Sequence, residues 1–484
     1  MPRSYRDLRS FLRYLEQRGE VARIGVPVSA DLEITEIADR AVKQSTPERP
    51  GPALLFENVR GHSAPVLINT YASDRRMAAA LGVDRLDDVG DRLRKLLKPE
   101  VPGGWLERLK KLGELKELAS APPRIVARGA VYECAVDPAD LTRMPVLRCW
   151  PGDGGPYITL PMVISRDPRT GKRNVGMYRM QVFGPREAGM HWQLHKGGAA
   201  HFQRLERGRL EVAVAIGADP ATVYAASAPL PPDIDEFLFA GFLRGEPIEL
   251  VRARTVDLAV PAEAEFILEG YVDAAERRTE GPFGDHTGYY SLADEYPVFH
   301  LTAMYHRRDP IYMTTIVGKP PMEDYWLGKA TERIFLPLLQ LVHGEIVDVN
   351  MPAEGVFHNL VVVSIRKRFP GHPHKVMYGL WGTGQMMFAR NIVVVDEDVD
   401  VQDLREVAFR VLANVDARRD LVVVDGPVDV LDHASPQPLI GGKLGIDATR
   451  KTAADGYTRG WPPDISMDSA VKARVDQLWP QLGL

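Results

Sequence analysis

The pattern of apolar positions divides the chain into three stretches, and the first begins with an amphipathic helix. Four apolar residues recur there at helical spacing: Leu8, Phe11, Leu12 and Leu15. Further helical segments up to about residue 115 alternate with short strand-like runs at 53–59 and 65–70. This alternation predicts a small α/β unit. A charged helix is predicted at 107–126, and the prolines at 122–123 indicate that it ends in a linker.

The middle stretch has a different texture. Short strand-like runs recur between about residues 124 and 310, with few helical patterns between them. Runs of this length that are rich in β-branched and aromatic residues are typical of strands. The stretch is therefore predicted to be a mostly β domain, such as a barrel. Residues 323–344 then carry a helical pattern that is interrupted or bent at Pro337.

The last third contains three near-continuous β-branched runs. They read HNLVVVSI (358–365), NIVVVDEDVDV (391–401) and DLVVVDGPVDV (420–430). Such runs are typical of parallel strands that are buried on both faces. Between the second and third runs, apolar residues from Leu404 to Val415 repeat at helical spacing. The pattern predicts a βαβ unit with a right-handed crossover.

Composition narrows the class of protein. With 484 residues the chain is too long for one hydrophobic core, so two or three domains are expected. The net charge is −5 without a long run of one sign, which disfavours nucleic-acid binding. Only two cysteines occur, Cys134 and Cys149, which excludes a disulfide framework and a cysteine-based zinc site. The charged N-terminus has no signal-peptide h-region, and a cytoplasmic location is expected.

Several polar residues of the middle stretch stand out as candidates for chemistry. The segment EGPFGDHTGYY (280–290) places Glu280 and Asp285 five residues apart across a glycine- and proline-rich turn. Arg179 lies in a strand-like run, and Glu236 opens an apolar helical run. Each has a structural explanation when taken alone. Two acids can cap a turn, Glu236 suits a helix start, and an arginine can lie at a strand edge.

Taken together, these residues allow a functional interpretation. Asn, His and Glu side chains can bind Mn²⁺ or Mg²⁺. Two carboxylates beside an arginine can hold a proton for acid–base work, and the arginine can clamp a substrate carboxylate. The glycines at 197–198 allow backbone N–H groups to approach a phosphate. Spacing alone thus favours a metal-assisted phosphate or cofactor site without naming a reaction.

The same motif carries a family resemblance. EGPFGDHTGYY closely resembles the signature of the UbiD family of decarboxylases. The likeness extends to NVGMYRMQV, MHWQLHKGGA, DEFLFAGFLRG and GGKLGIDATRK, so it covers essentially the whole chain. One position departs, because ubiquinone-pathway members have Arg where His191 stands. The resemblance therefore does not fix the pathway.

The resemblance implies an α/β (α+β) architecture. It comprises an N-terminal α/β domain (1–120), a split β-barrel that binds prenylated FMN (121–318), a linker helix (319–345) and a C-terminal α/β dimerisation domain (346–484). The implied cofactors are prenylated FMN, a divalent ion, usually Mn²⁺ or alternatively Mg²⁺, and often K⁺. The implied partners are a carboxylic acid substrate, a flavin prenyltransferase that supplies the cofactor, and a second copy of the chain.

The resemblance also implies residue roles. Metal ligands would be Asn174, His195 and Glu236. Cofactor contacts would come from Asn174, Met177, Tyr178, Arg179, His191, Trp192, Gln193, His195, Lys196, Gly197, Glu236 and Lys443. Catalysis would use Arg179, Glu280 and Asp285, with Asp285 favoured over Glu280 as proton donor. His286 and Thr287 are expected only to hydrogen-bond the loop.

The implied reaction is the reversible, non-oxidative decarboxylation of an aromatic or α,β-unsaturated acid. A 4-hydroxybenzoate-type or polyprenyl-hydroxybenzoate/menaquinone-pathway aryl acid is the favoured substrate type. Three alternatives stay open: a non-catalytic flavin-binding subunit of a larger decarboxylase, a decarboxylase of a secondary-metabolite unsaturated acid, and an ordinary flavin reductase. Retention of Arg179, Glu280 and Asp285 favours an enzyme over the non-catalytic subunit.

Overall fold

A computed structural model describes most of the chain. The described residues are 3–46, 49–97, 121–192, 197–205, 207–231 and 234–483. Three predicted site residues, Gln193, His195 and Lys196, lie outside these ranges, as does nearly all of the predicted charged helix at 107–126. Within the described ranges, no helix combines the length and the apolar character that crossing a membrane requires.

The N-terminal region confirms the predicted alternation of helices and strands. The first helix, α1 (Leu8–Gln17), is capped by Asp7 and buries the four predicted apolar residues. The strands are β1 (Val21–Ile24), β2 (Ala53–Phe56) and β3 (Val66–Ile68). The remaining helices are α2 (Glu33–Lys43), α3 (Asp74–Ala80) and α4 (Asp87–Leu97). β1 pairs in parallel with β2, and β2 pairs antiparallel with β3.

The middle stretch is mostly β, as predicted. Its strands are β4 (Arg124–Val126), β5 (Cys134–Val136), β6 (Tyr157–Ile158), β7 (Met162–Arg166), β8 (Arg173–Met177), β9 (Met180–Gly184), β10 (Glu187–Met190), β11 (Arg209–Ile216), β12 (Glu249–Arg252), β13 (Ala259–Pro261), β14 (Phe266–Glu280), β15 (Phe283–Gly284), β16 (Tyr290–Ser291), β17 (Asp294–His306) and β18 (Tyr312–Met313). Its helices are α5 (Gly197–Gln203), α6 (Pro220–Ala225) and α7 (Glu236–Arg244).

Nine of these strands form one curled sheet, called the barrel sheet below. Its order is β6-β9-β10-β17-β14-β11-β7-β8, and β5 pairs with β17 beside that path. The long strands β14 and β17 form its centre, and their inner side chains belong to the core. β15 and β16 pair separately just beyond the end of β14. This topology brings the ends of β8, β14 and β15 near one another.

Two later elements connect the regions. β18 follows the barrel sheet in the chain and pairs in parallel with β3, as the fourth strand of the N-terminal sheet. The predicted helix at 323–344 is present as α8 (Glu323–Val342), which continues past Pro337. The predicted domain boundaries remain predictions.

The C-terminal region contains a five-stranded sheet. Its elements are β19 (Ile346–Asn350), β20 (Leu360–Ile365), α9 (His372–Trp381), β21 (Asn391–Asp396), α10 (Leu404–Asn414), β22 (Leu421–Pro427), β23 (Ile440–Asp447) and α11 (Ser469–Leu478). The sheet order is β19-β20-β21-β23-β22. β20 and β21 pair in parallel, which confirms the prediction for the first two β-branched runs.

The prediction for the third run was wrong. β22 is an edge strand that pairs antiparallel with β23, and β23 lies between it and β21. The predicted parallel βαβ unit across α10 is therefore absent. Along β22 buried and exposed residues alternate, with Val422 8% and Val423 76% exposed. β-branched residues suit any pleated surface, so a valine run alone does not distinguish a central strand from an edge strand.

Candidate active site

The segment 280–290 forms a tight connection between two pairs of strands. Glu280 ends β14, Phe283 and Gly284 form β15, and Asp285 follows directly. Gly281 has φ +103°, a conformation that favours glycine. A Cβ on Gly284 would lie 2.2 Å from Cδ1 of Trp150. Both glycines are thus required for the chain to pass this corner.

Neighbouring side chains hold this connection in place. The backbone N–H of Gly281 donates to Oε1 of Gln181 at 2.8 Å. The backbone N–H of Gly284 donates to Oδ1 of Asp153 at 2.8 Å. Since both anchors come from the barrel sheet or the loop beside it, the spacing between Glu280 and Asp285 is set by the fold. The rigid turn expected from the sequence is present.

Arg179 joins the two acids. It lies between β8 and β9, and its side chain is 10% exposed. Its Nε donates to Oε1 of Glu280 at 2.9 Å, and its Nη2 donates to Oε2 of Glu280 at 3.2 Å. Nη1 donates to Oδ2 of Asp285, and Nη2 also reaches Oγ of Ser291 at 3.2 Å. The structure thus brings all three predicted catalytic residues into one buried network.

This network keeps both carboxylates ionised. Burial alone would raise the pKa of Glu280, but the hydrogen bond from His191 and the charge of Arg179 lower it below its ordinary value. Burial acts on Asp285 in the same direction, and the hydrogen bond from His286 and the charge of Arg179 bring its pKa well below its usual range. The two acids titrate as a coupled set.

His191 adds a second contact to Glu280. Its Nδ1 lies 3.1 Å from Oε2 of Glu280, and its ring packs 4.3 Å from the ring of Tyr296. Burial lowers the pKa of His191, which favours the neutral ring. Its buried Nε2 has no hydrogen-bond partner among the described residues. A neutral imidazole that donates from Nδ1 leaves Nε2 as an acceptor for a bound group.

His286 has a larger role than the loop contact expected from the sequence. Its Nδ1 lies 2.8 Å from Oδ1 of Asp285, and its backbone N–H donates to the same oxygen at 2.8 Å. Its Nε2 lies 3.1 Å from Nε2 of His358, which precedes β20. The pair therefore connects the acid at the barrel sheet to the C-terminal region.

Asn174 and its neighbours form a close-packed cradle. The hydroxyl of Tyr178 accepts from the backbone N–H of Gly198 at 3.1 Å and from Nδ2 of Asn174 at 3.3 Å. A Cβ on Gly197 would lie 1.9 Å from Oδ1 of Asn174. Gly197 is the first described residue of α5, and its lack of a side chain allows this close approach to Asn174. Such a cradle fits a phosphate group.

Trp192 and Met177 flank the same region. Trp192 is buried and packs on Phe202, with ring centroids 5.3 Å apart. Its indole N–H has no partner among the described residues, so it is a donor that a ligand could use. Met177 is half-buried at the end of β8. The unpartnered nitrogens of His191 and Trp192, together with the glycine cradle, fit a polar cofactor at this site.

Two of the three predicted metal ligands, Asn174 and Glu236, lie in the described structure. Oε2 of Glu236 accepts from the backbone N–H of Val175 at 3.0 Å. The carboxylate of Glu236 therefore lies beside the residue that follows Asn174. Burial raises the pKa of Glu236 to about 7, an effect that a cation would reverse. The described residues include no group of three or more His, Cys, Asp or Glu side chains arranged to hold a metal. His195 lies outside those residues.

Lys443 is separate from the other predicted residues. It lies on β23, and its Nζ donates to the carbonyls of Met387 at 2.7 Å and Ala389 at 2.9 Å. Burial lowers its pKa to about 8. No described contact joins it to the barrel sheet, so its role toward a cofactor stays a prediction.

Sequence reasoning missed two members of the network. Ser291 contacts Arg179, and His358 contacts His286. His358 is 72 residues from its partner, and a histidine before a valine-rich strand gives no signal of such a contact. Ser291 follows two tyrosines in a motif whose acids dominate the pattern.

Comparison with known proteins identifies the class and then the family. Three family profiles match the chain, and their descriptions name 3-octaprenyl-4-hydroxybenzoate carboxy-lyase: its N-terminal domain matches residues 12–93, its Rift-related domain 124–320 and its C-terminal domain 325–448. The chain is thus of the carboxy-lyase class. It belongs to the UbiD family of prenylated-FMN-dependent decarboxylases.

Relatives and solved structures agree with this family. An uncharacterized protein of Archaeoglobus fulgidus is 51% identical over 483 residues, 99% of each chain. An evolved dimeric form of the UbiD-class enzyme HmfF from Pelotomaculum thermopropionicum, in complex with prenylated FMN, has a TM-score of 0.79 and 29% identity, over 97% of this chain and 98% of that one. The vanillic acid decarboxylase of Sedimentibacter hydroxybenzoicus, in closed form, has a TM-score of 0.85 and 27% identity over 98% and 99%. The predicted mixed α/β fold with a split barrel is confirmed.

Proposed function

We propose that this protein decarboxylates an aromatic or α,β-unsaturated carboxylic acid, with prenylated FMN as cofactor and Arg179, Glu280 and Asp285 as the catalytic residues. The observation that carries the proposal is the buried network in which Arg179 contacts both acids. Two buried carboxylates beside one guanidinium, in contact with a buried histidine whose second nitrogen has no described partner, suit a site that handles a proton.

The chemistry explains the need for each part. Loss of CO₂ from an sp² carbon leaves an electron pair, and prenylated FMN, when bound, supplies the electron sink for it. Arg179 orients the substrate carboxylate beside the two acids. Because the reaction replaces CO₂ by a proton at the same carbon, a protonated acid must then reach that carbon. Asp285, which also contacts His286, is proposed as this donor.

The cofactor would be held by residues of the cradle. We propose that Asn174, His195 and Glu236 bind a Mn²⁺ or Mg²⁺ ion at the cofactor phosphate, with K⁺ beside it. The other proposed contacts are Met177, Tyr178, His191, Trp192, Gln193, Lys196, Gly197 and Lys443. The tight approach of Asn174 to Gly197 and the unpartnered nitrogens of His191 and Trp192 support this assignment.

The proposed substrate type is an aryl acid of the 4-hydroxybenzoate kind, as in a quinone pathway. Support comes from a structural neighbour that is described as a vanillic acid decarboxylase, since vanillic acid is an aromatic acid. A dimer is also proposed, and its support is that an evolved form of HmfF is described as dimeric. A flavin prenyltransferase is the proposed source of the cofactor.

The test is a decarboxylation assay on protein that has been produced together with a flavin prenyltransferase. The bound cofactor is identified by its absorbance spectrum and mass, and CO₂ release is then followed across a panel of aryl and α,β-unsaturated acids. Glu280→Gln and Asp285→Asn should each lower kcat about 10²- to 10⁴-fold while cofactor stays bound, because each removes a group that can carry a proton.

Matched controls lie on the same hairpin. Glu295→Gln and Asp294→Asn alter exposed acids close to the site in sequence, and both should keep full activity. Full activity of the Glu280→Gln, Asp285→Asn double variant would refute the assignment of the acids. Tight binding of prenylated FMN without turnover of any acid would favour the non-catalytic subunit.

A further inference from the structure

The proton needed by the reaction has no obvious carrier in the Arg179 network. The balanced reaction takes up one proton as the carboxylate leaves: R–CO₂⁻ + H⁺ gives R–H + CO₂. Both Glu280 and Asp285 are hydrogen-bonded to Arg179, which favours their ionised forms. An acid that rests as a carboxylate must obtain a proton before it can give one. A neighbouring group must therefore hold that proton.

His286 has the required position. Its Nδ1 is 2.8 Å from Oδ1 of Asp285, and a carboxylate can only accept, so Nδ1 carries a hydrogen. Its Nε2 is 3.1 Å from Nε2 of His358, so one of the two rings donates and the other accepts. If His286 is an imidazolium, it donates at both nitrogens and His358 accepts as a neutral ring. A neutral His286 that accepts at Nε2 from His358 would satisfy the same contacts, so the contacts place His286 in line with Asp285 and the surrounding charges decide its protonation.

The surrounding charges favour a proton on His286. The charged and titratable groups that face it are Asp285 beside it in the chain, Asp324 on α8, His358 before β20 and Asp429 after β22. Burial raises the pKa of Asp324 to about 7, so this carboxyl group is only partly ionised at neutral pH. Burial would lower the pKa of His286, but the hydrogen bond to Asp285 and the negative charges nearby raise it above its ordinary value. Burial and the neighbouring His286 lower the pKa of His358. These opposite pKa shifts favour a proton on His286 over one on His358.

We propose that His286 is the positioning residue that stores the catalytic proton and passes it to Asp285, with His358 of the C-terminal region holding its second nitrogen. In the first step the Nδ1–H bond of His286 breaks and an O–H bond forms on the Asp285 carboxyl group. In the second that O–H bond breaks as the new C–H bond of the product forms. His286 then regains a proton from water. The inference rests on the proposed function above.

The decisive variant is His286→Asn, because its amide can still donate to Asp285 but cannot store a proton. In the loaded wild-type enzyme, kcat should fall as pH rises through the pKa of His286, since the stored proton is then lost. In His286→Asn, kcat at pH 7 should fall about 10²-fold, and its decline should begin at lower pH, because Asp285 must take its proton directly from water. His300→Asn, which alters another histidine paired with a carboxylate, is the control.

A second measurement does not depend on turnover. ¹⁵N NMR of histidine-labelled full-length protein should show a ring that titrates above about 6.5. That signal should be missing in His286→Asn and should titrate at lower pH in Asp285→Asn, where the neighbouring charge is removed. His358→Asn should shift the same signal without abolishing it. The melting temperature of each variant shows whether it is folded.

The outcomes separate the two proposals. An active wild type whose His286→Asn variant keeps its kcat and its pH profile would overturn the storage role while leaving the proposed function intact. A lower kcat with an unchanged pH profile would also overturn it, since His286 would then act only by packing. If the wild type turns over no acid, the proposed function fails and the transfer step fails with it, while the NMR titration still tests proton storage: a His286 that is neutral above pH 5 overturns storage, and a raised pKa that depends on Asp285 supports it.

Discussion

Two buried charge clusters differ in how fully their polar atoms are satisfied. In one, Lys329 on α8 donates to both oxygens of Glu332 at 3.0 and 2.8 Å and to Oδ1 of Asn350 at 2.8 Å. Gln402 lies 3.1 Å from the same amine. No side-chain atom of these four residues lacks a partner in the described structure. In the other, around Arg179, the buried Nε2 of His191 does lack one.

This difference in satisfied polar atoms indicates which cluster stabilises the fold and which can bind a ligand. A buried network whose groups are all satisfied fixes its own geometry and has no capacity left for a ligand. The Lys329 cluster does this where α8 meets β19 of the C-terminal sheet. A buried network with a spare acceptor pays a desolvation cost that only a bound group can recover. The Arg179 cluster is therefore expected to govern activity and the Lys329 cluster to govern folding.

The largest expected effect is on folding. Lys329→Met removes one of the two cations beside the buried Glu332 and leaves Arg333 at 3.0 Å, so the free energy of unfolding should fall by about 3 kcal/mol, the lower end for breaking a buried ion pair. Activity per folded molecule should stay near the wild-type value. Denaturant unfolding measures the free energy of unfolding, and turnover per bound cofactor measures the activity. Lys375→Met, which breaks a more exposed pair with Glu345, should cost about 1 kcal/mol or less. Equal losses in the two variants would contradict the structural role of the Lys329 cluster.

Arg179→Lys should lower activity more than it lowers stability. The charge stays, but one ammonium cannot reproduce the guanidinium fork that reaches Glu280, Asp285 and Ser291. The value of kcat should fall about 10²- to 10³-fold, with a smaller loss of stability than in Lys329→Met. Arg278→Lys, on the exposed part of β14, is the control. A fully active Arg179→Lys variant would remove the main distinction between the clusters.

A pH series on Asp285→Asn should show a smaller effect. The folded-state pKa of Asp285 lies below its unfolded value, so its contribution to stability is complete above about pH 4 and is lost as pH falls through the folded pKa. The stability of the wild type should therefore decline more steeply below about pH 4 than that of Asp285→Asn. Thermal unfolding between pH 3 and pH 7 measures the slopes. Parallel curves would show that Asp285 is not held ionised.

The smallest expected change is at the rim of the Lys329 cluster. Gln402 is exposed, so Gln402→Ala removes one contact while water can replace it. We expect a loss of about 1 kcal/mol or less in unfolding free energy. Asn350→Ala, which empties a buried position, should cost more. A larger loss of unfolding free energy in Gln402→Ala than in Asn350→Ala would show that burial does not determine the strength of this cluster.

The sequence predicted the two acids because one short motif carries both, and it predicted Arg179 because a second motif, NVGMYRMQV, resembles the same family. It predicted β20 and β21 because their valines are buried on both faces. The prediction of a central parallel strand was wrong for β22, since an edge strand can have the same composition. The strand that lies between β21 and β22 is β23, which is glycine-rich. The sequence also carried no sign of the Lys329 cluster or of the contact between His286 and His358. Apart from the Lys329–Glu332 pair within α8, those contacts join residues 21 to 73 positions apart, and no local pattern encodes them.

The pairing of β18 with β3 has a consequence for how the chain folds as it is made. Tyr312 and Met313 align with Val66 and Leu67, so the N-terminal sheet lacks its fourth strand until about 240 further residues have been synthesised. At the usual speed of a ribosome this is a delay on the order of 10–50 s. During that time the edge of β3 is open to strands of other nascent chains. Chaperone capture of the early chain, or slow codons after residue 313, would therefore alter the yield of folded protein.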